Sequence, residues 1–295
     1  LSSFATKKTT AKERLAGCDQ LRELGDKAVD PVMAAYAARG LHEEQVRELI
    51  RLLGRIGTKK AAAALQRIVR MRGRPAHWAM AALAPLDHRE VHSFLLAYNP
   101  KNDDQMQIHI RALENVPGSR ATGLVVDALG SANSRISARA RQVLGRRTAR
   151  GEEADDELED FLEDLRDKEA KEVPAHAVTN ALEVCAALPD NDGIDALADC
   201  LAARGAHIRG PAMAVLARHP QLVRDRAIRD ALADALDERP GKQELLHMLQ
   251  ALRKAREKKA LPLAAACLDH SDREVYLLAC DAMTTLTGKN VGRNP

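Results

Sequence analysis

The chain has 295 residues and a net charge of +3; 45% of its residues are hydrophobic but only 2% are aromatic. This composition disfavours large β-sheets and favours helices that pack through small and unbranched side chains. Because Arg or Asp interrupts every apolar run before about 18 residues, we expect no membrane-spanning segment.

One short apolar phrase occurs eight times along the chain, at intervals of about 30 to 41 residues. In its clearest copy it reads Leu53, Gly54, Arg55 and Ile56. Such a period is typical of stacked supersecondary units, none of which can bury its apolar face alone. We therefore expect the first residue of each phrase to be buried at an equivalent position: Leu53, Leu83, Leu113, Leu144, Cys185, Leu216, Leu252 and Met283.

The second unit predicts how each repeat is built. Apolar residues at three-and-four spacing over 43–56 indicate an amphipathic helix, Gly57 suits a left-handed C-terminal cap, and Thr58 can cap the next helix. Each unit is thus a helix, a tight turn and an antiparallel helix. In chain order the pattern predicts helix pairs over 11–24 with 26–38, 43–56 with 58–71, 75–86 with 88–98, 103–116 with 119–130, 134–147 with 154–167, 174–188 with 192–203, 206–218 with 222–236, and 242–254 with 258–268, then a last helix over 272–287.

Two stretches, LLGRIGTKKAAAAL at 52–65 and HSDREV at 270–275 followed by AMTTLTG at 282–288, resemble the short HEAT-like repeats of bacterial proteins, the type first associated with phycobilisome lyases. The resemblance implies an all-α, HEAT-like α-solenoid, an armadillo-type superhelix, of about eight to nine antiparallel helix pairs. We expect a single array over 1–295. The tetratricopeptide and ankyrin signatures are missing from the sequence.

The end of the chain, from Thr287, is similar to the tail of many bacterial HEAT proteins, in which a Trp-bearing helix normally follows. The resemblance implies that 288–295 is a truncated tail. Self-association through the C-terminal end, or a partner that covers it, is then expected, because one apolar stripe of the last helix would stay partly open: Val275, Leu278, Ala279 and Ala282.

Charge is distributed unevenly. Residues 1–150 carry 26 Lys and Arg against 14 Asp and Glu, a net +12, whereas residues 151–295 carry 19 against 28, a net −9. Two groups of arginines in the basic half are candidates for contact with a partner. Arg67 and Arg70 lie on a predicted second helix, and the second group forms a row at helical spacing: Arg135, Arg139 and Arg146. The alternative is a solvated helix face or ion pairs within the array.

An acidic tract follows this row, with 12 acids against three bases between Glu152 and Glu172. Leu158, Phe161, Leu162 and Leu165 keep helical spacing, so we expect an amphipathic acidic insertion over 151–172 within the array. It could receive a basic partner, or it could neutralise the preceding arginines.

No residue pattern indicates catalysis, a cofactor or a metal site. His88 and His92 have the four-residue spacing of zinc ligands, but no third ligand is evident. The five cysteines are widely spaced within apolar stretches, which predicts buried free thiols and favours a reducing, cytoplasmic compartment. Because the chain begins at Leu1, we expect a processed or excised product, and an exported or periplasmic location stays open.

The sequence therefore predicts a non-enzymatic scaffold or adaptor that binds a protein partner through the surface of a repeat array. One alternative is nucleic-acid binding through the basic half, which the scarcity of aromatic side chains disfavours. Another is an accessory subunit of an enzyme, such as a phycobilin-lyase-like protein, a role that the resemblance implies for some relatives.

Overall fold

The computed structural model describes residues 23–38, 40–71, 73–188 and 193–291, and these ranges contain sixteen α-helices and no β-strand. The chain divides into two compact units, Leu1–Leu124 and Val125–Pro295, and each is described by itself. That all of 1–295 forms one array stays a prediction. The predicted helix over 11–24 lies outside the described residues except for its last two positions. Cys18 and residues 292–295 of the predicted tail also lie outside them.

The first unit is a series of short helices joined by tight turns. At the best-predicted turn, Gly57 adopts the left-handed conformation with φ 66° and donates its N–H to the carbonyl of Leu53, and the Thr58 side chain accepts from the N–H of Ala61. Both predicted caps are confirmed. The helices of this region are α1 Asp26–Ala37, α2 Glu43–Ile56, α3 Lys59–Arg70, α4 Arg74–Leu83, α5 Arg89–Ala97, α6 Asp103–Leu113 and α7 Ser119–Asp127, the last of which contains the division.

These helices pack in two layers. The first helices of the repeats, α2, α4 and α6, pack on one another in order, and the second helices α1, α3 and α5 do the same. Gly54 permits the close approach of α2 to α4, since a Cβ at this position would lie 3.0 Å from the Cβ of Ala82.

The second unit repeats this arrangement. Its helices are α8 Ser134–Thr148, α9 Asp155–Arg166, α10 Ala175–Cys185, α11 Ile194–Ala202, α12 Ala206–Arg218, α13 Arg226–Asp237, α14 Lys242–Ala255, α15 Leu261–Ala265 and α16 Arg273–Thr287. One layer holds α8, α10, α12, α14 and α16 in succession, and the other holds α9, α11, α13 and α15. Packing of each helix on the next but one, in two layers, is the architecture of a helical-repeat α-solenoid, so the predicted fold class is confirmed.

The repeat position is the centre of the core. Its first seven members are buried: Leu53, Leu83, Leu113, Leu144, Cys185, Leu216 and Leu252. Met283 is only half-buried, because no further helix follows α16 within the described residues to cover it. The prediction of equivalent burial is therefore confirmed at seven positions and wrong at the eighth.

Three other predictions need correction. The expected open stripe of the last helix is wrong for Val275, Ala279 and Ala282, which are buried because α16 packs on α14 and α15; Leu278 is half-buried. The helix predicted over 258–268 is a 3-10 turn, Lys258–Ala260, followed by the short α15, whose first turn contains Pro262. The helix predicted over 222–236 begins later, at Arg226, after a 3-10 segment over Pro220–Arg224.

Candidate functional site

Most charged contacts between successive repeats recur at the repeat interval. In the first unit Arg74 lies 3.0 Å from Glu43, and Lys59 lies 2.8 Å from Glu90. The lysine ammonium, by its hydrogen bond, holds the pKa of Glu90 below its ordinary range. These ion pairs connect neighbouring repeats, although the side chains themselves remain exposed.

The second unit uses charges in the same way and buries two of its arginines. Arg147 is fully buried and pairs with Glu152 at 2.5 Å, and Arg209 is buried against Glu244 at 2.9 Å. Burial is the main effect on the Arg147 guanidinium and lowers its pKa, although the neighbouring Glu152 carboxylate partly opposes this shift. Neither arginine was predicted to lie inside the core.

Glu183 is the centre of a further charged cluster in this unit. It accepts hydrogen bonds from Arg218 Nε at 2.5 Å and from His219 Nε2 at 3.0 Å, and Arg141 lies 3.9 Å away. Burial alone would raise the pKa of Glu183, but the two hydrogen bonds outweigh it, so the pKa lies below its ordinary value.

The predicted cations Arg67 and Arg70 both lie exposed on the last turn of α3. They are not equivalent. The guanidinium carbon of Arg70 lies 5.4 Å from the ring centroid of Phe94 on α5, a cation–π geometry. Arg67 makes no such contact in the part of the chain that the structure describes, so it is a solvated cation on the same turn of the helix.

The Arg70 contact belongs to a longer stack of rings. The Phe94 and Tyr98 rings lie 6.1 Å apart, and the Tyr98 ring meets His109 edge to face at 5.2 Å. His109 is buried, and its Nε2 donates to the carbonyl of Leu95 at 2.7 Å. Burial lowers the pKa of His109, and this hydrogen bond partly opposes the shift. The ring stack is therefore anchored in the core at one end and carries the Arg70 cation at the other.

Beside this stack is a cavity of about 380 Å³, here called the Arg70 groove. Two of its lining residues are cations, Arg70 and Lys101, and three carry side-chain amides. None of the described lining residues carries a carboxylate; they are Val69, Arg70, Gly73, Tyr98, Asn99, Lys101, Asn102 and Gln105. Asp103 and Asp104 follow in the first turn of α6 but do not line the groove. The groove therefore combines positive charge, an aromatic wall and amide groups.

The predicted row of arginines on α8 also lies at the surface. Arg135 and Arg146 are exposed, and Arg139 is half-buried and donates to the side chain of Gln142 at 3.0 Å. No acidic partner is described for Arg135 or Arg139. The row belongs to the second unit and Arg67 and Arg70 to the first, so each group is treated as a candidate surface of its own unit.

The acidic insertion contains the expected amphipathic helix, α9. Leu158, Leu162 and Leu165 are buried, while acids of the tract such as Glu159 and Asp160 are exposed. Glu152 contacts Arg147 and, at 3.7 Å, Arg150, so the tract neutralises preceding arginines at this position.

The histidine pair has structural partners. His88 Nε2 donates to the carbonyl of Gly57 at 2.6 Å, and His92 Nε2 lies 3.5 Å from Asp87. Across the described ranges, no group of three or more His, Cys, Asp or Glu residues is placed to hold a metal ion. Nor is any helix in those ranges sufficiently long and apolar to cross a membrane.

The fold defines the chain as a helical-repeat protein. Its sequence matches no known family and no curated protein. An engineered protein is similar over 96% of this chain and 97% of its own, with 16% identity and a TM-score of 0.32. A computationally designed armadillo repeat protein for modular peptide recognition is similar over 76% of this chain and 98% of its own, with 17% identity and a TM-score of 0.35. A designed armadillo repeat protein in complex with the peptide (KR)4 is similar over 88% and 99%, with 14% identity and a TM-score of 0.26. These scores are low, and the description of the fold rests on the helix packing of the chain itself.

Sequence reasoning placed Arg70 on the surface but missed the ring stack and Lys101. One signal was present in the sequence. The chain has only three Phe and three Tyr residues, and one of each, Phe94 and Tyr98, lie four residues apart. The contact of Tyr98 with His109 crosses a turn between helices, which helical periodicity does not describe.

Proposed function

We propose that the chain is a non-enzymatic scaffold of HEAT-like repeats that binds a protein partner through exposed cationic surfaces on its helices. The observation that carries the proposal is the division of the arginines into two sets. Those that connect repeats are paired with carboxylates, as Arg74 and Arg209 are, whereas the structure describes no carboxylate partner for Arg67, Arg70 or Arg135.

The unpaired cations favour a partner with negative charge, which would approach faster at low salt. A nucleic acid also meets this condition, but base stacking needs open aromatic faces. Near Arg70 the two rings contact each other, the guanidinium and His109. A protein partner is therefore the better-supported choice. The free, buried thiols of the four described cysteines support a reducing compartment such as the cytoplasm.

The test compares charge reversals of equal size. Partners of the intact chain are captured, identified by mass spectrometry and purified, and their binding is measured over a salt series. Arg135→Glu with Arg139→Glu should weaken binding about tenfold or more at low salt, with unchanged helical circular dichroism. The matched control is Lys258→Glu with Lys259→Glu, which changes the net charge equally at exposed positions outside both candidate surfaces.

Equal losses in the two double variants would show a general charge effect and contradict a binding surface on α8. Tight binding of DNA that resists salt and is abolished by the Arg135 and Arg139 reversal would move the assignment to nucleic-acid binding.

A further inference from the structure

We infer that the Arg70 groove is a recognition site for an acidic peptide segment, with a carboxylate of the partner held between Arg70 and Lys101. The inference rests on the proposed protein-binding function and names the partner chemistry at one of its surfaces. It is argued from the charge, the ring stack and the amides of the groove, and from an exposed methionine next to Arg70 in the chain.

The charge at the groove selects an anion. Both ionised lining residues, Arg70 and Lys101, are cations, and the described lining contains no carboxylate to neutralise them. A guanidinium binds a carboxylate through two parallel hydrogen bonds, and a nearby ammonium adds a third donor. A volume of about 380 Å³ lies at the small end of ligand sites, which suits one side chain and the backbone next to it.

The ring stack holds the cation in place. Arg70 is exposed, and a free arginine side chain would lose rotamer entropy on binding. Contact with the Phe94 ring restricts the guanidinium before a ligand arrives, and the ring itself is supported through Tyr98 by the buried His109. Arg67, on the same turn of the same helix, has the charge without this support.

The remaining side chains at the groove offer hydrogen bonds and an apolar contact to a peptide. Three of the lining residues carry side-chain amides, Asn99, Asn102 and Gln105. The amide oxygens of Asn102 and Gln105 accept backbone N–H groups at the start of α6, so their NH2 groups are the donors available to the carbonyls of an extended peptide. Met71, directly after Arg70, is 66% exposed, and a polarisable thioether is suited to apolar side chains of a protein partner. Amide side chains also bind bases and phosphates, so the exposed thioether is the feature that favours a peptide.

The test measures fluorescence anisotropy of a labelled glutamate-rich peptide with the full chain at low salt. A peptide with every Glu replaced by Gln and an oligothymidylate of equal charge serve as comparison probes. We expect the Glu peptide to bind, the Gln peptide to give no change in anisotropy, and the oligonucleotide to bind more weakly than the Glu peptide. Arg70→Glu should weaken binding about tenfold or more, which corresponds to about 1.4 kcal/mol, and Arg67→Glu by less than about threefold.

Phe94→Leu separates a site from general electrostatics, because it preserves the net charge and removes the ring that contacts Arg70 and Tyr98. We expect it to weaken binding about threefold, with circular dichroism confirming the fold of every variant. Equal losses in Arg70→Glu and Arg67→Glu, or no loss in Phe94→Leu, would overturn the inference. Tighter binding of the oligonucleotide, with the same dependence on Arg70, would overturn it in favour of phosphate recognition.

Failure here is distinguishable from failure of the proposed function. If the Glu peptide does not bind but a captured protein still depends on Arg135 and Arg139, the groove assignment alone is wrong. If no purified protein partner binds either surface, the scaffold proposal is wrong as well.

Discussion

The buried pair of Arg209 and Glu244 is expected to be the most sensitive polar contact of the second unit. Arg209 Nε donates to Oε1 of Glu244 at 2.9 Å and Nη2 donates to Oε2 at 3.3 Å, and the two side chains are 5% and 9% exposed. Arg209 also donates to the carbonyls of Ala203 and Arg204, and Glu244 accepts from the N–H of Gly241 at 2.6 Å. The pair therefore connects α12 and α14 to the segments that precede both helices.

The magnitude follows from what each substitution leaves behind. Glu244→Ala leaves a buried guanidinium without its carboxylate, which should cost about 3 to 5 kcal/mol of unfolding free energy. Replacing both partners, Arg209→Met with Glu244→Leu, removes both charges and keeps most of the volume, so it should cost less than the single truncation. Asp230→Ala is the matched control. Asp230 is 67% exposed and its partner Arg226 is 87% exposed, so the substitution should lower the unfolding free energy by only about 0.3 to 0.5 kcal/mol.

Urea unfolding followed by circular dichroism gives the global change, but repeat arrays often unfold in parts. Hydrogen exchange measured by mass spectrometry is therefore the sharper assay. Glu244→Ala should speed exchange in α12 and α14 together, with little change in α9. A cost below about 1 kcal/mol, or a double replacement as costly as the single one, would refute the reasoning.

Three further predictions follow from burial. Leu252→Ala should lower the unfolding free energy by about 2 to 5 kcal/mol and Met283→Ala by less, because only the first side chain is fully buried; equal shifts in urea midpoint would contradict this. Since its hydrogen bonds lower the pKa of Glu183, its stabilisation is complete above the ordinary pKa of 4.5 and is lost as pH falls through the folded-state pKa. Glu183→Gln should remove this part of the acid dependence of unfolding. Burial raises the pKa of Cys185 and Cys200 from 9.0 to about 12. Iodoacetamide at about pH 8 should therefore alkylate these thiols about 1,000-fold more slowly than in the unfolded chain, as measured by peptide mass spectrometry. Equal rates in the folded and unfolded chain would show that the thiols are accessible.

The helices were predictable because their signals are local. Gly57 and Thr58 define one turn by backbone conformation and side-chain capping, and the apolar spacing of 43–56 defines the buried face. The period then predicts which helices are neighbours, since a unit with an open apolar face must stack on the next. The prediction was weakest where proline or a 3-10 turn changes the register, as at Pro262.

The polar interior was not predictable from the same signals. Arg209 and Glu244 are 35 residues apart, and either would be assigned to the surface by its charge alone. Periodicity says that their helices are neighbours, but which side chains meet depends on the rotation of each helix about its axis. The ring stack that supports Arg70 was missed for the same reason.

The difference in net charge between the two halves of the sequence is a weak guide to where a partner binds. The counts of +12 and −9 include residues that form ion pairs between repeats, such as the exposed pair of Arg74 with Glu43 and the buried pair of Arg209 with Glu244. Because those pairs recur at the repeat interval, they follow from stacking and carry no information about a partner. The informative cations are those outside this pattern, and among them Arg70 differs from its neighbour Arg67 through a contact, not through its charge. Recognition is therefore better sought where a cation is held in place at a cavity than where the net charge is largest.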